Sequence, residues 1–147
     1  MTEWIFQGNR RRSELDAALT SSRRHSWRTP RYRDRTAVGD RVWLQIAGPD
    51  HPGIYYVATI TTATYEDPEW HADGPASGRW RTDIRFDYRI EPPLLRVELL
   101  ADAELGSFRP FRGFQGSTVP LPPEVALALS ARAAPRLEEW AARGGRS

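Results

Sequence analysis

Hydrophobic and polar positions alternate most clearly in the segment RWRTDIRFDYRI, residues 79–90. Four apolar residues from Ile84 to Ile90 occupy every second position, and an Arg or Asp lies between each pair. A period of two is typical of a β-strand that buries one face and exposes the other. The pattern therefore predicts a half-buried strand here.

Two β-rich runs earlier in the chain give a second signal. Residues 42–47 and 54–65 are rich in Val, Ile, Tyr and Thr, and the Gly- and Pro-containing segment GPDHPG joins them. Two such runs around a short turn predict a β-hairpin.

The opening segment WIFQGN is a short apolar strand that ends in Gln7, Gly8 and Asn9. Glycine permits close approach of another group or an unusual backbone angle, and each amide side chain carries both a donor and an acceptor. A turn followed by a solvated basic patch is the simpler interpretation of this ending. A ligand-contacting strand end is the alternative.

Helical spacing of apolar residues occurs near both ends of the chain. The segment SELDAALTSS, residues 13–22, predicts a short helix capped by Ser13. Residues 122–142 begin with prolines suited to a first helical turn and predict a helix that is bent or broken at Pro135. Residues 23–35 show no period and are predicted to be a loop.

Together these elements predict an α+β fold in a single domain, residues 1–147, with a sheet of about five or six strands curled into a barrel and helices outside it. The sequence contains no apolar run of about eighteen residues, as a membrane span requires, and no recognisable secretion signal. Cysteine is absent, which excludes disulfides and Cys-based zinc sites. We expect a cytoplasmic protein that does not contact a membrane.

Basic residues are unevenly distributed, and all 21 of them are Arg. Residues 1–41 hold ten Arg against five acids, residues 42–107 hold five against eleven, and residues 108–147 hold six against three. If the two ends meet in the fold, they form an electropositive face suited to nucleic-acid phosphates. A GC-rich genome, in which Arg is the default surface cation, is an alternative explanation.

Catalytic and cofactor motifs are not recognisable. His25, His51 and His71 lie in separate polar segments without metal-ligand spacing, and no nucleophile-elbow pattern is present. The glycine-containing segments GPDHPG and GGRS match neither a dinucleotide fingerprint nor a P-loop. We therefore predict no enzymatic activity, no metal and no cofactor.

Tryptophan is frequent, with six residues in the chain. Most Trp residues in a small domain belong to the core, and by position we predict that role for Trp4, Trp43, Trp80 and Trp140. Trp27 and Trp70 lie among Arg, Asp and Gly, where an aromatic face could stack a flat ligand.

The order of these segments resembles the EVE domain, a member of the PUA-like group that also contains the YTH and ASCH domains. WIFQGN is similar to the opening strand of that family, SWRTPRYRD to its Trp-containing loop, and VGDRVWLQIAGPDHPGIYYVATI to its central hairpin. RWRTDIRFDY and GFQGSTVPLPPEV resemble the strand that follows and the closing segment. The resemblance covers nearly the whole chain and implies a small curled β-barrel with helices around it.

This resemblance implies a nucleic-acid-binding module that reads a modified base in an aromatic pocket, most naturally in DNA. The base would be one such as 5-methylcytosine, 5-hydroxymethylcytosine or N6-methyladenine. Trp27 would form one wall of the pocket and Trp70 is the candidate for a second, whereas Trp80 matches a structural position. The residues implied around the base are Gln7, Gly8, Asn9, Trp27, Ile46, Ala47, Gly48, Trp70, Phe114 and Gln115.

Several arginines near the implied pocket are candidates for contacting phosphates: Arg10, Arg11, Arg12, Arg23, Arg24 and Arg112. A nuclease in another chain is a possible protein partner. Two alternatives stay open, a reader of RNA or tRNA modification and a hydrolase of a nucleobase derivative, as some ASCH relatives are. The hydrolase would need a Lys, Glu or Tyr constellation in the pocket, and this chain has no Lys.

Overall fold

A mixed β-sheet forms the centre of the computed structural model, which describes residues 1–8, 23–67 and 80–139. In this part of the chain the strands are β1 (Glu3–Gly8), β2 (Arg24–Arg28), β3 (Arg41–Ile46), β4 (Gly53–Ile60), β5 (Tyr65–Glu66), β6 (Trp80–Leu95), β7 (Thr118–Leu121) and β8 (Leu137–Glu139). The α-helices are α1 (Arg96–Ala101) and α2 (Pro123–Ala133), and short 3₁₀ helices cover Leu105–Ser107, Arg109–Arg112 and Ala134–Arg136. The helix predicted over residues 13–22 lies outside the described residues.

Six strands follow one another across the sheet in the order β2-β6-β4-β3-β1-β7, and the short strands β5 and β8 also pair with β6. Strands β1 and β3 run parallel, and the other pairs are antiparallel. Register shifts interrupt the β4–β6 ladder after Ile54 and after Val57. Such irregularities increase the local twist, which lets the long strand β6 curl with the sheet.

The two faces of the sheet bury two separate apolar clusters. Because side chains alternate along a strand, Trp4 and Phe6 of β1 point to one face and Ile5 points to the other. The first cluster consists of buried strand residues, with Trp27 and Tyr32 packed against it, so the curled sheet itself encloses it. The second cluster joins the outer face of the sheet to α1, α2 and two of the 3₁₀ helices.

Several predictions made from the sequence are confirmed. The hairpin is β3–β4, the alternating segment lies in β6, and the C-terminal helix ends before Pro135. Trp4 and Trp43 are fully buried, as predicted for core residues. None of the helices in the described ranges is long and apolar enough to cross a bilayer.

Two predictions need correction. Residues 24–28 form β2 rather than loop, because their backbone pairs with β6 although the segment lacks an apolar run. The break predicted at Pro135 is present, and the chain beyond it forms the short strand β8. Trp80, predicted to be a core residue, is only partly buried, and the guanidinium carbon of Arg33 lies 4.0 Å from its ring centroid. Trp140 lies outside the described residues.

Candidate functional site

An open pocket of about 900 Å³ lies between β2, at one end of the sheet, and the loop that leads into β7, at the other end. It is bounded by the last residues of β1, the residue after β3, strands β2 and β6, and the loop before β7. Its volume falls within the range of roughly 300–1,000 Å³ that is usual for small-ligand sites. The lining consists of Gln7, Gly8, residues 25–28, Ala47, Arg81, Phe86 and residues 113–117.

Trp27 forms one wall of the pocket because of its place in β2. Arg24, Ser26 and Arg28 are exposed, while His25 and Trp27 alternate with them and turn inward. Trp27 is partly buried, and its ring lies 6.5 Å from that of Phe6 with an interplanar angle of 29°. One side of the indole is thus supported by the core, although part of the side chain is open to solvent.

Gly8 permits Trp27 to occupy this position. A Cβ atom on residue 8 would lie 2.9 Å from Cζ2 and 3.1 Å from Cη2 of Trp27, closer than packed carbon atoms normally approach. The backbone of Gly8 also accepts a hydrogen bond from the Ala47 N–H at 2.8 Å. The glycine at the end of the first strand therefore has a packing reason: it leaves room for the indole ring.

The Gln7 side chain fastens the end of β1 to the loop before β7. Its Nε2 donates to the carbonyl oxygen of Phe114 at 2.7 Å and to that of Gly116 at 3.4 Å, and its Oε1 accepts from Gln45 Nε2 at 2.8 Å. The Gln7 backbone N–H donates to the Ser117 carbonyl at 2.8 Å. Because these amide contacts are internal, Gln7 shapes the pocket mainly by holding this loop.

The loop of residues 113–117 has a shape that depends on glycine. Gly113 and Gly116 have φ angles of 97° and 115°, which side chains rarely permit. Between them, Phe114 packs against the second cluster and Gln115 is exposed. The loop thus gives the pocket a wall of backbone and one aromatic residue opposite β2.

The charged groups that line the described pocket are basic. Arg28 and Arg81 lie at its rim and His25 packs edge-on against Phe86, with ring centroids 5.7 Å apart. No Asp or Glu is present among the described lining residues. Burial lowers the pKa of the Arg81 guanidinium from its ordinary value, and the nearby groups of Tyr65 and Asp67 partly offset this effect. The pocket therefore favours anionic or electron-rich ligands.

Six of the ten residues predicted to surround a ligand line this pocket: Gln7, Gly8, Trp27, Ala47, Phe114 and Gln115. Ile46 does not, because it is buried in the first cluster, and Gly48 lies beyond the lining in a turn. Asn9 and Trp70 lie outside the described residues.

The predicted phosphate-contacting arginines are more scattered. Arg23 lies 3.6 Å from Asp87 and donates to the Phe86 carbonyl, so it is tied to β6. Arg24 and Arg112 are exposed but do not line the pocket. Arg10, Arg11 and Arg12 lie outside the described residues. The arginines that the structure does place at the rim, Arg28 and Arg81, are absent from the predicted set.

The alternation in RHSWR is the signal that could have indicated these rim residues. Once residues 24–28 are placed in a strand, Arg28 shares its outer face with Ser26, and Arg81 is its cross-strand partner. Within the described chain, no group of three or more His, Asp or Glu side chains is arranged to hold a metal ion.

Solved structures with the same architecture are known, although their sequences differ widely from this one. A hypothetical protein from Leishmania major matches with a TM-score of 0.71 at 17% identity, covering 92% of this chain and 96% of its own. The chain has a PUA-like fold. A Pseudomonas putida protein matches at 25% identity with a TM-score of 0.67, covering 88% and 97% of the two chains.

Human THYN1, solved in complex with DNA that contains 5-methylcytosine, matches with a TM-score of 0.65 at 16% identity, covering 90% of this chain and 98% of its own. No protein-family model and no curated protein matches the sequence. The predicted curled barrel is thus confirmed, and the resemblance to the EVE domain is confirmed at the level of fold.

Proposed function

We propose that this protein is an EVE-type nucleic-acid-binding module that takes a modified base of DNA into the pocket beside Trp27. The observation that carries the proposal is the combination of a partly exposed indole wall with a rim of two arginines. An aromatic face accepts any nucleobase, and arginines at the rim suit the phosphates on either side of it.

The free-energy cost of extruding a base from its stack and the gain from stacking it in the pocket are of similar size. Removing a base from its stack costs a few kcal/mol, whereas stacking it on an aromatic side chain returns about 1–3 kcal/mol. Phosphate contacts supply the remaining affinity in a salt-dependent way. Burial of one methyl group adds about 0.8 kcal/mol, or roughly fourfold in affinity. We therefore expect moderate rather than absolute selectivity for a methylated base.

The comparison with human THYN1 supports this proposal, because that protein has the same fold and was solved bound to DNA containing 5-methylcytosine. Nothing in the described lining favours a hydrolase, since it contains no pair of carboxylates. The binding experiment distinguishes a DNA reader from an RNA reader, because RNA carries a 2′-hydroxyl that DNA lacks.

The test is a set of labelled oligonucleotides of one sequence, in DNA and in RNA, single- and double-stranded. Each is prepared with the unmodified base and with 5-methylcytosine, 5-hydroxymethylcytosine or N6-methyladenine. Fluorescence anisotropy at fixed ionic strength gives the dissociation constants. We expect one modified DNA to bind several-fold tighter than its unmodified counterpart. Equal affinity across the whole set would overturn base reading, and a preference confined to RNA would assign the module to RNA.

A further inference from the structure

Ser117 lies where the loop of residues 113–117 enters β7, and it lines the pocket. Its backbone carbonyl accepts a hydrogen bond from the Gln7 N–H at 2.8 Å, so this residue is fixed to the end of β1. The residue as a whole is 6% exposed. The backbone at this point of the pocket wall is therefore held in place independently of the serine side chain.

The Ser117 side chain is a buried polar group without a partner. Its Oγ atom is shielded from solvent and makes no hydrogen bond within the described part of the chain. Buried hydroxyl groups are normally hydrogen-bonded, because a group that loses water without gaining a partner destabilises the fold. The neighbouring Thr118 follows this rule, since it is 3% exposed and its hydroxyl donates to the Arg31 carbonyl at 3.3 Å. Ser117 thus carries hydrogen-bonding capacity that the fold itself does not use.

Other polar side chains of the lining are engaged within the protein or face solvent. The Gln7 amide bonds to Gln45 and to two carbonyls of the loop before β7. Ser26 Oγ accepts from Arg81 Nε at 2.6 Å, and Gln115 is exposed. The Ser117 hydroxyl differs from these groups because it combines burial with an unused donor and acceptor.

We propose that the Ser117 hydroxyl hydrogen-bonds the polar edge of the base that stacks on Trp27. The inference rests on the proposed function and adds to it the side chain that orients the base. The loop that carries Ser117 forms the wall opposite β2, so a base on the indole lies between the two. Rotation about the Cα–Cβ bond moves Oγ between staggered positions, and a base in the pocket favours the position in which Oγ meets its edge.

A hydroxyl group suits the edge of a base, which presents both donors and acceptors. The serine hydroxyl offers one donor and two acceptor lone pairs, and its hydrogen turns to match the partner. Cytosine and adenine each carry ring acceptors beside an exocyclic amine. The contact therefore returns the free energy that is lost by burying Oγ without a partner, and it does so only when a base is present.

The experiment compares Ser117→Ala with Thr118→Val, a matched variant that removes the adjacent buried hydroxyl. Ser117→Cys retains the size of the side chain and replaces the hydroxyl with a weak hydrogen-bonding group. The probes are single-stranded DNAs of one sequence. Their central position is abasic or carries cytosine, 5-methylcytosine, adenine or N6-methyladenine. Anisotropy at fixed salt gives the dissociation constants, and circular dichroism gives the midpoint of thermal unfolding.

We expect Ser117→Ala and Ser117→Cys to weaken the base-containing strand that the wild type binds most tightly by about five- to tenfold, as for one lost hydrogen bond. Affinity for the abasic strand should not change. Ser117→Ala should unfold at the wild-type temperature or slightly above it, because it removes a buried group that the fold leaves unpaired. Thr118→Val should unfold about 2–4 °C lower and keep the wild-type ratio of base-containing to abasic affinity.

Three results would overturn the contact. A fall in the unfolding temperature of Ser117→Ala as large as that of Thr118→Val would show that the hydroxyl serves the fold. Equal losses for base-containing and abasic strands would show that it supports the loop rather than the base. Unchanged affinity in a folded Ser117→Ala protein would show that the base does not contact the hydroxyl.

Failure of the proposed function gives a different result. If the wild type does not distinguish methylated from unmethylated bases but Ser117→Ala weakens the base-containing strands alone, the hydroxyl contact holds and modified-base reading fails. If the wild type prefers a methylated base and Ser117→Ala keeps that affinity in full, base reading holds and the hydroxyl contact is wrong. Equal wild-type affinity for base-containing and abasic strands contradicts both.

Discussion

Replacing Trp27 with Ala is the sharpest test of the pocket, because it removes the indole wall and leaves the backbone of β2 in place. Stacking of one base on an aromatic side chain is worth about 1–3 kcal/mol. We therefore expect Trp27→Ala to weaken binding of the preferred modified base roughly 5- to 150-fold. Salt-dependent binding to an abasic strand should change little, since the arginines at the rim remain.

The cost in stability follows from the burial of Trp27. A fully buried Trp costs about 3–5 kcal/mol when it is truncated to Ala. Trp27 is partly exposed, and its support comes from Phe6 and the backbone at Gly8, so we expect about 2 kcal/mol. In a domain of this size that lowers the midpoint of thermal unfolding by about 4–8 °C. The variant should remain folded at room temperature.

Trp43→Ala is the appropriate control. Trp43 is 1% exposed, and its Nε1 donates to Glu3 Oε1 at 2.8 Å on the opposite face of the sheet from Trp27. Circular dichroism and denaturant titration give the stability of both variants, and anisotropy gives the affinity. A folded Trp27→Ala protein with unchanged affinity for the modified base, or one destabilised as much as Trp43→Ala, would refute the wall assignment.

Three further changes test the support of the pocket and of the fold. Gly8→Ala should push the Trp27 ring from its place and weaken modified-base binding, while binding to the abasic strand, measured by anisotropy, stays near the wild-type value. Gln7→Leu removes the side-chain bonds to the loop before β7 and should cost about 1–3 kcal/mol in urea denaturation, with faster amide exchange in that loop. The hydrogen bond from Arg136 lowers the pKa of Glu98, so this pair stabilises the folded state above the ordinary Glu pKa and the contribution is lost as the pH falls through the lowered value. Thermal unfolding between pH 7 and pH 3 should therefore show a smaller acid-induced loss in Arg136→Ala than in the wild type, and equal losses would contradict the linkage.

The sequence predicts most of the sheet because strands β1, β3, β4 and β6 carry their own apolar patterns. It fails at β2, where His25 and Trp27 are the only inward side chains among arginines and a serine. That strand exists because its backbone pairs with β6, a tertiary contact between segments more than fifty residues apart. The misassignment of Trp80 also involves a distant segment, since the guanidinium carbon of Arg33 lies 4.0 Å from its ring centroid.

The candidate site could be predicted only in part, for the same reason. Gly8 and Trp27 can be identified individually as unusual residues, but nothing in a linear pattern shows that one makes room for the other. Arg81 belongs to a regular alternation of charged residues, so its neighbours in the sequence do not distinguish it as a residue of the pocket rim. The nuclease partner, the cytoplasmic location and the absence of enzymatic activity stay predictions.

A ligand bound in the pocket between β2 and the loop before β7 stabilises the folded state. These strands end the sheet on opposite sides, and the Thr118 hydroxyl of β7 donates to the carbonyl of Arg31, in the loop after β2, at 3.3 Å. A ligand that contacts both Trp27 and the loop before β7 links the two ends of the sheet through its own contacts. At a free concentration a hundred times its dissociation constant, such a ligand adds about 2.7 kcal/mol to the free energy of unfolding. Local unfolding of a sheet begins at its outermost strands. The slowing of amide hydrogen exchange on ligand binding is therefore concentrated in β2 and β7.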